Sequence, residues 1–181
     1  MFKKGLKFAL LTLLCYLLQS TASYYLAIGN VAPNIALAMI AAVSVAMGRK
    51  YTFFMSVTVG YLLEIMMPAL DYINLILYPV CALLGALAFS DKSERKLEEE
   101  RSLGKRAGNM PAHLRTILCG LVSILVFEGV NLFYIYLNGI TLDASHLQRA
   151  LLSVFYTTAL TAVLQFPIRW WLGLYKRQPA R

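Results

Sequence analysis

A glutamate inside a long apolar stretch is the first feature of this sequence that could do chemistry. The segment 51–67 contains one acidic residue, Glu64, and Ser56 and Gly60 precede it at four-residue intervals. On a helix these three residues follow one another along one side. Small residues there let a neighbouring helix approach closely, and an ionisable group inside a membrane indicates function. We expect the rest of the chain to surround this helix.

A second set of polar residues lies in two later apolar stretches. Glu128 and Asn131 lie within 116–137, and Pro167 and Arg169 lie near the end of 149–172. At about 1.5 Å of rise per residue, Glu64 and Glu128 fall between the middle and the outer face of a membrane. We expect no basic residue at that depth, and Arg169 to extend to the headgroups at the inner face. At least one glutamate is therefore expected to be protonated or paired with a partner protein. Other polar residues expected on the outer side are Gln19, Asn34, Asn74 and the start of a row formed by Ser153, Thr157, Thr161 and Gln165.

Two interpretations of this outer polar cluster stay open. It is either a pocket or partner groove that opens outward, or a set of hydrogen bonds that hold the helices together. The second interpretation is favoured for the amides and hydroxyls, and function or assembly with a partner is favoured for the glutamates. The sequence does not decide between a small molecule and a partner helix as the occupant.

Motifs of enzymes are missing from the sequence. It contains no phosphate-binding GxxxxGK[ST] loop, no HExxH, no GxSxG and no cluster of metal ligands. The two histidines, His113 and His146, fall in expected loops, and Cys15, Cys81 and Cys119 have no CxxC spacing and are expected to be packed free thiols. We therefore expect a protein that is not an enzyme and has no metal or cofactor.

The composition indicates a membrane protein with several spans. The chain has 181 residues, of which 59% are hydrophobic, with a mean hydropathy of +0.63, whereas soluble domains are about 45–50% apolar. We expect one all-α membrane domain, with the first span kept as an anchor and not cleaved as a signal peptide. The six expected spans are 6–28, 31–47, 51–67, 72–90, 116–137 and 149–172. The charged segment 91–115 is either a solvated connector, with a possible exposed helix at 93–102, or a docking surface for a cytoplasmic partner.

The basic residues predict the orientation. With six spans, 16 of the 17 Lys and Arg residues fall on one side, and Arg149 is alone on the other. Cytoplasmic segments of membrane proteins carry the excess of basic residues, so both termini are expected in the cytoplasm. This placement in loops between apolar spans also excludes nucleic acid as the partner that a net charge of +8 would otherwise suggest.

The sequence resembles the MreD family, the membrane subunit of the bacterial rod-shape and cell-elongation machinery. The family's Gly-aromatic/Leu-Leu-x-Asp stretch after a short basic turn is read here in 59–64, Val-Gly-Tyr-Leu-Leu-Glu, after Gly48-Arg49-Lys50. Looser matches are 18–21, Pro33-Asn34 where the family often has Pro-Asp, Glu128 before Phe133-Tyr134, and 165–169 with its Pro-x-Arg ending. Two departures are Glu64 in place of Asp and the long charged segment 91–115.

The resemblance implies a scaffold in the bacterial cytoplasmic membrane. Its partners would be an MreC-like bitopic protein, with MreB, the polymerase RodA and a transpeptidase bound directly or indirectly. It makes Ser56, Gly60, Glu64, Glu128, Asn131, Pro167 and Arg169 candidates for partner binding or bundle packing. It also implies a bundle similar to the substrate-binding subunits of energy-coupling-factor vitamin transporters.

Such a transporter subunit is the alternative function, and another kind of membrane scaffold is the third. Transporter subunits carry Ala-x-x-x-Ala on the first span for docking to the energising module. Here that spacing occurs in the second span, at Ala38, Ala42 and Ala46.

Overall fold

The computed structural model describes residues 2–29, 31–66, 73–89, 102 and 110–173. These residues are 87% helical and contain no strand, which confirms the expected all-α class. The principal helices are α1 (Phe2–Leu17), α2 (Ile35–Met47), α3 (Arg49–Met66), α4 (Ile73–Phe89), α5 (Ala112–Leu137) and α6 (Ala144–Trp171).

The first helix continues beyond α1 through an irregular turn. A π-helical segment, Leu18–Ala22, follows α1 directly, and one further α-helical turn, Ser23–Tyr25, ends the element. The π-helix is rare in proteins and occurs mostly as a single turn inside an α-helix. The helix ends at Tyr25, three residues before the predicted end at residue 28. Ile28 and Val31 then exchange backbone hydrogen bonds across a tight turn at positive-φ Gly29.

Helix α2 lies at the centre of the bundle. All ten residues from Ile35 to Ser44 are buried, and the helix contacts each of the other five principal helices. A helix that is apolar on all sides is stable only when it is enclosed, and its many alanines leave room for neighbours. The structure thus corrects the expectation that the Glu64 helix is the centre, because α3 is buried on one side and exposes Phe54, Tyr61 and Met66 on the other.

The start of α2 also differs from the sequence prediction, whereas its end at Met47 agrees with it. Residues 31–34 are not helical, so the span does not begin at residue 31. Asn34 is the N-cap, and its side chain accepts a hydrogen bond from the backbone N–H of Leu37. At the other end, Gly48 has φ +88°, a conformation that L side chains rarely adopt. This residue turns the chain directly into α3 at Arg49.

The two last helices begin earlier than predicted. Helix α5 starts at Ala112 and not at residue 116, and α6 starts at Ala144 and not at residue 149, which places five more residues in the helix. Apolarity alone missed these first turns because they contain polar residues. Of the segment 91–115, only residues 102 and 110–115 are described, so the possible helix at 93–102 lies outside the described residues apart from Ser102.

Three described helices are long and apolar enough to cross a membrane. They cover Gly5–Tyr25, Ala112–Leu137 and Ala144–Trp171, and the three other apolar helices are shorter. Large apolar side chains are exposed along the outside of the bundle, as expected of a lipid-facing surface and not of a soluble monomer. Examples are Leu6, Leu10, Leu13, Phe155, Val163 and Trp170.

Hydrogen bonds tie α6 to the first helix at opposite ends of the bundle. The Tyr156 hydroxyl donates to the carbonyl oxygen of Leu26 at 2.7 Å. The Lys7 ammonium donates to the carbonyl oxygen of Trp171 at 3.0 Å. We use these contacts to name the ends: the Leu26 end, where α2 and α6 begin and α5 ends, and the Lys7 end, where α1 and α5 begin and α6 ends.

Candidate functional site

The α3 motif faces the interior of the bundle. Ser56, Gly60 and Glu64 are all buried, and Ser56 donates its hydroxyl hydrogen to the carbonyl of Phe53 in the same helix. A Cβ atom placed on Gly60 would lie 2.8 Å from the backbone oxygen of Asn74 in α4. The backbones of α3 and α4 therefore approach closely at Gly60, and the neighbour that this small residue admits belongs to the same chain.

Glu64 binds the first turn of α4. Its Oε2 accepts a hydrogen bond of 2.9 Å from the backbone N–H of Asn74, one residue after α4 begins at Ile73. The first N–H groups of a helix have no partner inside the helix, and the helix dipole places partial positive charge there. Glu64 is 8% exposed, so its carboxylate supplies an acceptor where water is scarce. This accounts for an acidic residue in an apolar span.

The Glu64 contact gives a testable effect on stability. Glu64→Ala removes the acceptor for the Asn74 N–H and should destabilise the protein by about 1–2 kcal/mol. Glu64→Gln keeps a carbonyl oxygen at the same position and should lose less. Thermal unfolding in mild detergent, followed by circular dichroism, measures both. Equal loss in the two variants would mean that the charge, and not the hydrogen bond, stabilises α4.

A polar cleft lies at the Leu26 end between α5, α6 and the segment that precedes α2. Its volume is about 280 Å³. Each helix contributes four residues at spacing i, i+3, i+4, i+7, which is one helical face. These are Glu128, Asn131, Leu132 and Ile135 from α5, and His146, Arg149, Ala150 and Ser153 from α6, with Val31 and Ala32 closing one side.

Because α5 and α6 are antiparallel, the residues that line the cleft follow a fixed order from its deep end to its mouth. Glu128 and Ser153 meet at its deep end, where the Ser153 hydroxyl donates a hydrogen bond to Glu128 Oε1. His146 lies at the mouth, since it is in the first turn of α6. Arg149 lies one helical turn from Ser153 toward the mouth, and it is exposed. The cleft thus has a carboxylate inside and a guanidinium near its opening.

The first turn of α6 fixes the orientation of His146. The backbone N–H of Asp143, the N-cap, donates to His146 Nδ1 at 3.4 Å. In a neutral imidazole that accepts at Nδ1, the proton is on Nε2. His146 therefore offers a hydrogen-bond donor from the other side of its ring. The cleft combines a carboxyl group, a guanidinium, an imidazole, an amide and a hydroxyl, a set suited to binding.

The sequence prediction identified only part of this cleft. Glu128, Asn131 and Ser153 were expected on the same side of the membrane, and the structure brings them together. His146 and Arg149 were missed as neighbours of Glu128, because α6 was expected to begin at residue 149. Arg149 lines the same cleft as Glu128, one helical turn nearer to its mouth, and the sequence did not predict this neighbour. The Asp143 cap and the matched spacing of the two faces are the signals that would have shown this.

Other polar residues expected at this end hold the helices together. Gln19, in the π-helical segment, accepts a hydrogen bond from the Ala36 N–H at 2.9 Å. The Asn34 N–H donates to Thr157 Oγ1 at 3.0 Å, and the Tyr78 hydroxyl donates to Asn34 Oδ1 at 3.3 Å. These contacts join the π-helical segment of the first helix, α2, α4 and α6.

The last two candidate residues lie at the Lys7 end. Pro167 is exposed inside α6, whereas Arg169 is only 9% exposed. One Arg169 guanidinium nitrogen lies 3.4 Å from both ring nitrogens of His113, and His113 Nδ1 lies 3.3 Å from Gln165 Oε1. Arg169 thus packs against His113 of α5, contrary to the expectation that it extends to the headgroups at the inner face. Neither residue belongs to the cleft.

The cysteines stay apart from both sites. Cys15, Cys81 and Cys119 are buried and free. Among the described residues, no group of three or more His, Cys, Asp and Glu side chains is placed to hold a metal ion. We therefore take the cleft lined by Glu128, Asn131, His146, Arg149 and Ser153 as the candidate functional site.

Comparisons with protein-family models, with curated proteins and with solved structures found no match. The resemblance to MreD accordingly rests on the residues of this sequence alone.

Proposed function

We propose that this chain is a non-enzymatic scaffold of the bacterial cell-elongation machinery, with six spans in the cytoplasmic membrane. It would pair with an MreC-like bitopic protein and thereby connect MreB to the polymerase RodA and its transpeptidase. The proposal is supported by the 59–64 motif after a basic turn, by the apolar six-helix bundle, and by the matches at Pro33-Asn34, Glu128 and 165–169.

The distribution of charge supports cytoplasmic termini. Lys7, Arg49, Lys50 and Arg115 lie in the turns of α1, α3 and α5 that face the Lys7 end, while Arg149 lies at the Leu26 end. Under the positive-inside rule the Lys7 end faces the cytoplasm. The cleft then opens on the outer side, where the large part of a bitopic MreC-like partner would be.

The observation that carries a partner-binding role is the accessibility of Glu128 compared with Glu64. Gly60 and Glu64 contact α4 of the same chain, so the α3 motif stabilises the bundle. Glu128 and Asn131 line a cleft that is open at the surface. We therefore assign the partner contact to the α5 residues and the folding role to the α3 residues.

The proposal is tested by purifying the chain from native membranes in mild detergent and identifying the bound proteins by mass spectrometry. An MreC-like bitopic protein, a polymerase and a transpeptidase are expected. Recovery of paired ATPases with a membrane coupling protein would contradict the scaffold and support the transporter subunit.

The contribution of the cleft to partner binding is a separate prediction. Glu128→Ala should reduce the recovered MreC-like protein at least tenfold, because removing one member of a buried polar contact leaves its partner unsatisfied. The matched control is Gln148→Ala, which alters an exposed α6 residue outside the cleft. Equal recovery with both variants would place the partner on another surface.

The cleft also favours the alternative function, a substrate-binding subunit of a vitamin transporter, since such proteins bind their substrate near the outer face. The alanine spacing gives this alternative little support. Ala38 and Ala42 are 0% and 1% exposed inside the bundle, so a docking module cannot reach them. A transporter subunit would need a different docking surface.

A further inference from the structure

The geometry points to a binding site in the cleft for a compact zwitterion, a molecule with a primary ammonium group and an acidic group a few bonds apart. This inference goes beyond the proposed scaffold function, because it concerns the isolated chain and no partner protein. It rests on how the two opposite charges are placed within one small space.

The ammonium would bind at the deep end. Glu128 is half-buried there, and its Oε1 accepts a hydrogen bond from Ser153. An ionised carboxylate accepts several hydrogen bonds, so the Ser153 contact leaves acceptor capacity. The Asn131 side chain lies one turn away on the same face and supplies an amide oxygen. An ammonium with three N–H donors suits this set, whereas a trimethylammonium has none to give.

The acidic group would bind at the mouth. Arg149 lies one turn before Ser153, so the Cα atoms of Arg149 and of the serine that contacts Glu128 are separated by about 6 Å along the helix axis. A guanidinium binds a carboxylate or phosphate through two parallel N–H groups. His146, three residues before Arg149, adds a donor at Nε2 because Nδ1 accepts from the Asp143 N–H. A ligand whose charges lie a few bonds apart would span this distance.

Size and surroundings select a small molecule. The cleft of about 280 Å³ is slightly smaller than typical ligand pockets, which cover about 300–1,000 Å³. Leu132 and Ala150 supply apolar walls between the charged ends. The same chemistry can come from a free solute, such as an amino acid, or from the headgroup of phosphatidylethanolamine, since the cleft lies where α6 begins.

The test uses the full chain in phosphatidylcholine nanodiscs, titrated with O-phosphoethanolamine in a calorimeter. Saturable binding is expected, with at least tenfold weaker binding of phosphocholine, ethanolamine and inorganic phosphate, each of which lacks one half of the recognised pair. Glu128→Gln and Arg149→Gln should each weaken binding tenfold or more, and Gln148→Ala should leave it unchanged. Arg149 is exposed, so its variant keeps the test informative if Glu128→Gln is poorly folded.

A second arm identifies the source of the ligand. The chain is placed in nanodiscs that contain phosphatidylethanolamine, and native mass spectrometry counts the retained lipids. Selective retention that Glu128→Gln or Arg149→Gln abolishes would assign the site to the lipid headgroup. Unchanged O-phosphoethanolamine binding in these nanodiscs would assign it to a free solute. Absence of both signals, or binding of inorganic phosphate as strong as that of O-phosphoethanolamine, would overturn the zwitterion site.

Discussion

Gly60→Val will lower the stability of the bundle by about 1–3 kcal/mol or more, the usual cost of overpacking. A Cβ at this position would lie 2.8 Å from the backbone oxygen of Asn74, and 3.4 Å from the Tyr78 Cβ. The backbone oxygen belongs to a helix and cannot turn away as a flexible side chain would. Helix α4 must therefore move as a whole. A decrease of about 5–10 °C in the unfolding temperature in detergent is expected for a chain of this size.

Gly129→Ala is the matched control for this experiment. Gly129 also lies inside a helix, but a Cβ there would meet nothing within 4 Å. Alanine is favoured over glycine in a helix interior by up to about 1 kcal/mol, so this variant should be as stable as the wild type or slightly more stable. If Gly60→Val matched Gly129→Ala, the close approach of α3 and α4 would be refuted.

The same contact couples Gly60 to Glu64. Glu64 reaches the Asn74 N–H only while α3 and α4 stay close. A larger residue at position 60 should separate them, so that Glu64→Ala costs little more in the Gly60→Val background. The summed effects of the single variants should exceed that of the double variant. This non-additivity distinguishes a shared contact from two independent defects.

The helices could be predicted from the sequence because apolar runs are long and uncharged, but their first turns could not. Helix α6 begins with His146 and Gln148 among its first residues, so hydropathy placed its start at residue 149. The reverse error occurred at α2, where residues 31–33 were added to an apolar stretch that begins at Asn34, because a membrane span needs about 17–25 residues. Those residues form a connection closed by Val31–Ile28 hydrogen bonds. Capping chemistry, and not apolarity, sets both boundaries.

The sequence predicted toward which side of the membrane the site residues lie, but not which neighbouring helix each of them faces. Counting residues placed Glu128, Asn131 and Ser153 toward the same side, and the structure brings them together in one cleft. The same count placed Glu64 in that half as well, yet Glu64 turns to α4. The level of a residue follows from its number in a helix, whereas the helix that it faces depends on packing among all six. The central place of α2 shows the same limit, because its alanines indicate close packing but not how many neighbours surround it.

Asn34→Leu is expected to be the most damaging polar-to-apolar change in the interior. The Asn34 oxygen accepts from the Leu37 N–H at 3.0 Å and from the Tyr78 hydroxyl at 3.3 Å. Leucine would leave two buried donors without an acceptor, at about 1–3 kcal/mol each. It would also remove the N-cap of the helix at the centre of the bundle. We expect a loss of about 2–5 kcal/mol, measured by thermal or denaturant unfolding in detergent.

Tyr78→Phe separates the two parts of this effect. It removes one donor and leaves Asn34 capping α2, so its cost alone should be small, about 1 kcal/mol. In the Asn34→Leu background it should cost nothing further, because the orphaned hydroxyl is then gone. A double variant that is clearly worse than Asn34→Leu would show that the Tyr78 hydroxyl has another role.

Asn34→Asp tests whether position 34 requires an uncharged side chain or only a hydrogen-bond acceptor. A carboxylate accepts the same two hydrogen bonds, and a negative charge is favourable at a helix N-terminus. The variant should therefore stay within about 1 kcal/mol of the wild type, far from the loss with leucine. That outcome would give a physical reason for the resemblance at Pro33-Asn34, where MreD sequences often have Pro-Asp: either residue caps the enclosed helix. A loss with aspartate equal to that with leucine would mean that the site excludes charge, and the Pro-Asp comparison would then carry no weight.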